Sequence, residues 1–337
     1  MSTFRTTRFI KTTTAVLGVA TVVALFPIAS TMANSTQAKQ TKNPPAQQPA
    51  KSDSLFPPTK LGAHQFTIKS AKFSSRFFTS DENHVAEAGK KFLILDLTVQ
   101  NPGTTDLTYS WATLDFTVVG ADTDNFPYLP VAINPEKLTS LDLDLKPKQT
   151  IPVQVAIKVP ADDPIHKLMV KAGSDGQPIR FDLRNKVAKY SEAFADPNGI
   201  TIKDSSDFAL GQSFPNDALN VVIDKVEGVQ SPIGDYDASE GEQFFVVFAT
   251  ITNPSLTEEQ LDWGIFEASM FDQNGEPIES SSAMLRAVGN DSVNTKLKAG
   301  QSIKVRMLFH GNKSLTPTKL SLKARASERI ANLKLTK

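Results

Sequence analysis

The side chains that could do chemistry in this chain are few and scattered. Four histidines, His64, His84, His166 and His310, stand far apart, with no His-x-His or His-Glu-x-x-His spacing that would aim two imidazoles at one zinc ion. They read as solvated or strand-edge residues. Cysteine is absent, which removes disulfides, thiol nucleophiles and thiolate metal sites. No serine stands in a Gly-x-Ser-x-Gly elbow or in a Ser-x-x-Lys setting that would activate its hydroxyl, and Ser321 falls inside a strand-like stretch. Asp142 and Asp144 alternate along one strand face, the pattern of a solvated edge rather than an acid–base pair. Without an activated nucleophile or base, the chain reads as noncatalytic.

Acidic turns offer oxygen ligands of the kind calcium takes. Asp272, Asn274 and Glu276 lie within one five-residue turn, Asp122, Asp124 and Asn125 in another, and Asp235, Asp237, Glu240 and Glu242 in a third cluster. Calcium wants about six to eight oxygens, and no turn carries the full Asp-x-Asp-x-Asp-Gly loop with a distant Glu. Asn274-Gly275 is also a favoured hairpin turn by backbone conformation alone. The hairpin is the preferred reading; calcium at Asp272, Asn274 and Glu276 is the alternative, and no other cofactor is implied.

The elements that position these residues come in two sets. Trp111 and Trp263, the only tryptophans, lie 152 positions apart (263 − 111), and much of the chain repeats at that offset. Gly89, Phe92, Asn101 and Pro102 recur as Gly241, Phe244, Asn253 and Pro254, and Leu145, Lys146, Gln149, Ile151 and Val153 as Leu297, Lys298, Gln301, Ile303 and Val305. Residues 89–185 thus overlay residues 241–337 without a gap, the signature of a tandem array. Shared residues build the fold; a ligand is read by those that differ. The two tryptophans, being shared, read as core or loop-packing anchors, since a buried Trp is usual in such sandwiches.

Ile151, Val153, Val155 and Ile157 alternate with flanking polar residues, and Ile303, Val305, Met307 and Phe309 repeat the pattern, as half-buried strands do. Phe92–Val99 and Phe244–Thr252 are β-branched and aromatic runs stopped by Asn-Pro. Further strands are expected at 65–72, 114–119, 167–172 and 179–183, and at 219–226, 266–271, 319–324 and 331–335. About seven short strands per copy predict an all-β protein of two tandem immunoglobulin-like antiparallel β-sandwiches, residues 59–185 and 207–337. Residues 186–206 would link them, and the spacing of Val187, Tyr190 and Phe194 allows a short helix over residues 184–194.

The copies differ most at Arg76, Phe77 and Phe78 against Gly228, Val229 and Gln230, and over residues 126–130 against 278–282. Arg76, Phe77, Phe78, Phe126 and Tyr128, placed in loops, form the expected contact surface of the first domain, or else pack against the second domain or the linker.

The N-terminus reads as an export signal. Arg5, Arg8 and Lys11 precede an apolar run from Ala15 to Phe26, and Thr31-Met32-Ala33 supplies the small residues a signal peptidase reads. Residues 1–33 are expected to be cleaved; retained, they would act as a membrane anchor. Residues 34–58, rich in Pro and Gln, read as a disordered spacer. Thirty-six basic against 36 acidic residues give zero net charge, which argues against nucleic acid and leaves membrane attachment to the signal alone.

A Leu-Gly start (Leu61-Gly62, Leu210-Gly211), Gly-x-x-Phe before a hydrophobic strand, Asn-Pro, and Leu-Lys-x-x-Gln before an alternating strand follow in the same order in both copies. This order resembles the telokin-like, immunoglobulin-related domain of unknown function found in bacterial secreted proteins and lipoproteins, a group similar in fold to a secreted mycobacterial antigen. The resemblance spans roughly residues 60–185 and 207–337. It implies an extracellular β-sandwich and brings no catalytic residue. The first copy departs from it with Pro147-Lys148 where the second has Ala299-Gly300. Together these readings predict a noncatalytic binding or scaffold protein, secreted or attached to the cell envelope, whose partner is a protein or an envelope component. A calcium-stabilised adhesion-like module and an enzyme inhibitor are the alternatives.

Overall fold

The computed structural model describes residues 54–335 other than 174, 175 and 231. The expected signal (1–33) and nearly all of the expected spacer (34–58) lie outside the described residues. The first half runs through β1 (Thr59–Leu61), β2 (His64–Ser74), β3 (Arg76–Phe78), β4 (Asn83–Val85), β5 (Lys90–Gln100), β6 (Leu107–Ser110), β7 (Leu114–Val119), β8 (Asn125–Ile133), β9 (Asp142–Leu145), β10 (Thr150–Pro160), β11 (Lys167–Ala172) and β12 (Ile179–Asp182). The second runs through β13 (Ser205–Phe208), β14 (Ser213–Asn216), β15 (Leu219–Val229), β16 (Glu242–Thr252), β17 (Glu259–Asp262), β18 (Phe266–Phe271), β19 (Pro277–Arg286), β20 (Asn294–Leu297), β21 (Ser302–Asn312), β22 (Lys319–Ala324) and β23 (Ile330–Lys334). The protein is all-β, two immunoglobulin-like antiparallel sandwiches in series. The bounds of β5, β6, β7, β9, β10 and β11 recur at an offset of 152 as those of β16, β17, β18, β20, β21 and β22.

In each half one strand carries the sheet from one layer to the other. β8 pairs with β10 in one layer and with β7 in the other, and β19 does the same between β21 and β18. Both strands slip register at a bulge, between Val155 and Ile157 of the first ladder and between Ser280 and Met284 of the second. Proline tolerates such a place, because a bulge interrupts the ladder that its missing N–H would otherwise break. Residues 126–130, expected as a loop, are strand, with Pro130 at the bulge.

The central pair, β5 with β10, runs eleven residues in unbroken register and is matched by β16 with β21. Leu93, Leu95, Leu97 and Val99 face the main core, while Phe92 and Ile94 face a second cluster with Phe77, Ala86, Ile133 and Ala156. In the other half Phe244 and Val246 face Ile233, Leu285 and Leu308 in the same way. Gly89 and Gly241 precede these strands at φ +75° and +86°, a left-handed conformation that glycine takes without strain.

Asn-Pro does more than stop a strand. The buried Asn101 amide donates to the carbonyls of Thr105 (2.7 Å) and Leu145 (2.9 Å), and its oxygen accepts from the Gly103 N–H (2.9 Å). Asn253 repeats the set with Thr257, Leu297 and Ser255. The tryptophans correct the expectation. Tyr109 and Leu261 are the buried residues of β6 and β17, but both strands end before residues 111 and 263. A 3₁₀ turn capped by Asp262 begins at Trp263, so the chain swings outward and leaves Trp111 49% and Trp263 61% exposed.

Residues 186–204 form turns and isolated bridges instead of the helix that residues 184–194 allowed. Ala188 donates to Ala71, and Tyr190 to Gly199, so the backbone is committed to the sheet and to its own return. Tyr190, Phe194 and Ile202 are buried, and the Phe194 ring meets Phe208 edge-on, which in turn packs against Phe214 in the second half. The expected spacer also ends early: Leu55 donates to Ile68, and Phe56 packs on Phe181 at 4.9 Å.

Lys91 holds this strap to the first half. Fully buried, its Nζ donates to the carbonyls of Asp163 (2.7 Å) and Ile200 (2.6 Å) and lies 3.8 Å from the Phe73 ring centroid. Burial pushes its pKa down from 10.5 to about 8, against the opposing pull of Asp163, Asp162 and Asp196. Between those two values the unfolded chain binds more protons than the folded one, so the Lys91 contribution to stability rises with pH from about 8 to 10.5. Denaturant midpoints measured across that window should climb in the wild type and lose that component in Lys91→Met. Asn253→Ala leaves two buried carbonyls and an N–H without their partner, and should cost about 2–4 kcal/mol in equilibrium unfolding.

Candidate functional site

The residues expected as a contact surface are only partly on the surface. Arg76, Phe77 and Phe78 form β3, which pairs with β4 and covers the outer face of β5. Phe77 is 2% exposed and stacks on His84, so it is core, for the physical reason that Phe92 and Ile94 need cover. Arg76 turns toward the second half and donates to Asn220 Oδ1 (2.9 Å), with the Phe78 ring 5.4 Å away. Burial lowers its pKa, opposed by Glu192 and Tyr190. Phe126 and Tyr128 sit on β8, away from β3 in sequence and in sheet order. Both are half-buried against the main core. Tyr128 lies edge-on to Phe116 at 5.8 Å and donates its hydroxyl to the Trp111 carbonyl. Burial pushes the Tyr128 phenol up to about 12.

Polar groups join the halves along one seam. Arg329, on the second half and 4% exposed, donates to the carbonyls of Ala86, Glu87 (3.2 Å) and Lys90 (2.5 Å) on the first. Burial lowers its pKa, and Asp204, Tyr190, Glu87 and Asp217 oppose that loss of charge. Gly89 N–H donates to Asp204 (2.7 Å), and Ala88 N–H to the Ser327 carbonyl (2.7 Å). Asn83 donates across the seam to Ser255 (3.0 Å), Thr257 (2.6 Å) and Glu259. Both halves belong to one compact unit.

Beside the seam opens a cleft of about 350 Å³, lined by Asn83 and Val85 from the first half and by Asp217, Glu259, Asp262 and Arg325, among others, from the second. Its carboxylates are already engaged: Asp217 accepts from Ala326 and Ser327, Asp262 from Gly264, and Glu259 from Asn83. Such a cleft can hold a polar ligand through the remaining lone pairs and the Arg325 guanidinium. Sequence reasoning missed Lys91, Arg329 and Asn83. Their signal was present, since each stands where the repeat fails, opposite Gln243, Gln177 and Asp235 at the same offset.

The structure draws Asp272, Asn274 and Glu276 together as a hairpin turn between β18 and β19. Asp272 Oδ1 accepts from the N–H groups of Asn274 (2.8 Å) and Glu276 (2.9 Å). Burial pushes the Asp272 carboxyl up, but the donors from Glu276, Asn274 and Gly275 outweigh it and hold the carboxyl below its usual range. Among the described residues no three His, Asp or Glu side chains stand close enough to hold a metal ion. His64 meets the Thr108 carbonyl at 3.2 Å, His84 covers Phe77, and His310 faces Glu279 at 3.5 Å.

A family of unknown function, DUF4352, matches residues 57–177, the first half of the chain. No curated protein matches the sequence. Similar solved structures include a β-sandwich protein from Clostridium difficile, 14% identical, covering 39% of this chain and 96% of its own, at a TM-score of 0.31. The secreted protein MPT63 of Mycobacterium tuberculosis is 14% identical over 39% of this chain and 97% of its own, at 0.30. The yjhA protein of Bacillus subtilis is 12% identical over 38% and 98%, at 0.27. No catalytic family is indicated. No helix among the described residues is long and apolar enough to cross a membrane.

Removing the Arg329 side chain takes a charged donor from the carbonyls of Ala86, Glu87 and Lys90, of which Glu87 keeps the N–H of Lys90. Arg329→Ala should cost roughly 3 kcal/mol in equilibrium unfolding, and Arg329→Lys should recover only part of it, because an ammonium cannot reproduce the planar fork.

Proposed function

We propose that the protein is a noncatalytic, exported binding or scaffold protein of the cell envelope or extracellular space, built from two homologous copies of a telokin-like, immunoglobulin-related domain. The observation that carries the reading is the seam. Arg329, Asp204 and Asn83 fix two sandwiches to each other and hold the cleft between them in one shape. A preformed cleft loses little conformational freedom when it binds, which is what a recognition module needs. The absence of an activated nucleophile or base in the sequence fits the same reading, as does likeness to a secreted protein.

The partner is a protein or an envelope component, and it meets the cleft at Val85, Gln260 and Arg325, with the half-buried Phe78 beside Asn83 at one side. The test is capture from the envelope and culture medium of the source organism with the full chain, against a Val85→Arg/Gln260→Arg double variant. A specific partner should bind the wild type at least roughly tenfold more tightly, while the two proteins unfold at the same denaturant concentration. Equal binding by both proteins would remove the cleft from the function.

A further inference from the structure

The inward row of β18 reads Phe266, Ala268 and Met270. Phe266 and Met270 are buried, yet Ala268 between them is partly exposed, so solvent reaches a position that should be core. The opening is a cleft of about 220 Å³ lined by Phe266, Ala268, Met284, Met307 and Phe309, with the exposed Trp263 at its mouth. It lies within the second half, apart from the cleft at the seam.

The first half shows what such a space accepts. At the 152 offset, Ala268 corresponds to Phe116 and Ser280 to Tyr128. Phe116 is 1% exposed, the Tyr128 ring lies edge-on to it at 5.8 Å, and the Tyr128 hydroxyl reaches the carbonyl of Trp111, the counterpart of Trp263. The backbone registers agree: Tyr128 pairs with Ile157, and Ser280 with Phe309. Four wall positions are larger in the second half (Phe266, Met284, Met307 and Phe309 against Leu114, Ala132, Val155 and Ile157), and the cleft persists despite them.

We propose that this cleft is a binding site for a phenolic ring, which takes the place that Phe116 and Tyr128 fill in the first half and donates its hydroxyl to the Trp263 carbonyl. Size supports a single ring: an apolar cavity of about 150 Å³ holds benzene, whereas whole drug-sized ligands need about 300–1,000 Å³. Two methionines suit the role, because thioethers adapt in shape and pack well against aromatic edges. Glu267 at the rim disfavours a ring that carries a carboxylate. The ring comes from a free phenol or from a tyrosyl side chain, and the two sources are separable.

The experiment follows the methyl signals of Met284 and Met307 by NMR in the full chain as p-cresol, toluene, p-hydroxybenzoate or the peptide Gly-Tyr-Gly is added. Saturable shifts are expected for p-cresol with a Kd of about 1 mM, several-fold weaker for toluene and weakest for p-hydroxybenzoate. Ala268→Phe, which restores the aromatic of the first half, should weaken p-cresol binding at least roughly tenfold with no loss of melting temperature. Ala268→Leu provides the smaller filling should the Phe variant fail to fold. Binding of Gly-Tyr-Gly as tight as p-cresol assigns the ring to a tyrosyl side chain, and binding of p-cresol alone assigns it to a free phenol. The proposal falls if p-cresol gives no saturable shift, or if a folded Ala268 variant binds it as well as the wild type.

Discussion

The central antiparallel ladder of each half is buried on both faces along much of its length, and most of the remaining architecture answers that constraint. A strand with one solvated face alternates; Phe92-Leu93-Ile94-Leu95 and Phe244-Phe245-Val246-Val247 do not, so each ladder needs cover on its outer side as well as a partner layer on its inner side. The inner side is met by the second layer, reached through the bulged strand β8 or β19. The outer side is met by Phe77 and Ala86 in the first half and by Ile233 in the second. A polar substitution at Phe77 would therefore uncover core rather than probe a recognition surface.

The two halves share this scheme, yet the protein as a whole is asymmetric. Shared residues such as Asn101 and Asn253 close the same strand ends with the same hydrogen bonds. Unshared ones, Lys91 and Arg329, carry buried charge to places where their hydrogen-bond partners are backbone carbonyls. Each is costly alone, because burial disfavours the charged form. Each carbonyl it meets belongs to a different segment, so the charge fixes the strap to the first half and one half to the other. Divergence at these two positions thus serves assembly. The exception is Phe116, whose replacement by Ala268 accompanies an open space instead of a contact between halves.

Much of the framework was legible in the residues. The 152-residue echo marked the strand pairs β5/β16, β7/β18, β10/β21 and β11/β22, and Asn-Pro marked where the central strands end. Period-two alternation at Ile151–Ile157 and Ile303–Phe309 identified the inner face correctly. Legibility failed where a local signal had two physical meanings. Residues 126–130 read as a loop, but a bulge tolerates Pro130 inside a strand. The spacing of Val187, Tyr190 and Phe194 fitted a helix, but each apolar side chain instead docks separately along an extended strap. A recurring Trp in a sandwich suggested a buried anchor, and a strand that stopped one residue early turned both tryptophans outward.

The sequence by itself determined the all-β class, the 152-residue recurrence of strands and the central ladders, because these depend on periodicity and residue type along a single strand. Only the tertiary structure decided which divergent residues face the other half, which are core and which border empty space. Those outcomes depend on what stands opposite a side chain across a gap of a few ångströms, and residues far apart in the chain supply it: Arg329 meets Ala86, Arg76 meets Asn220, and Ala268 borders an open cleft where Phe116 meets Tyr128.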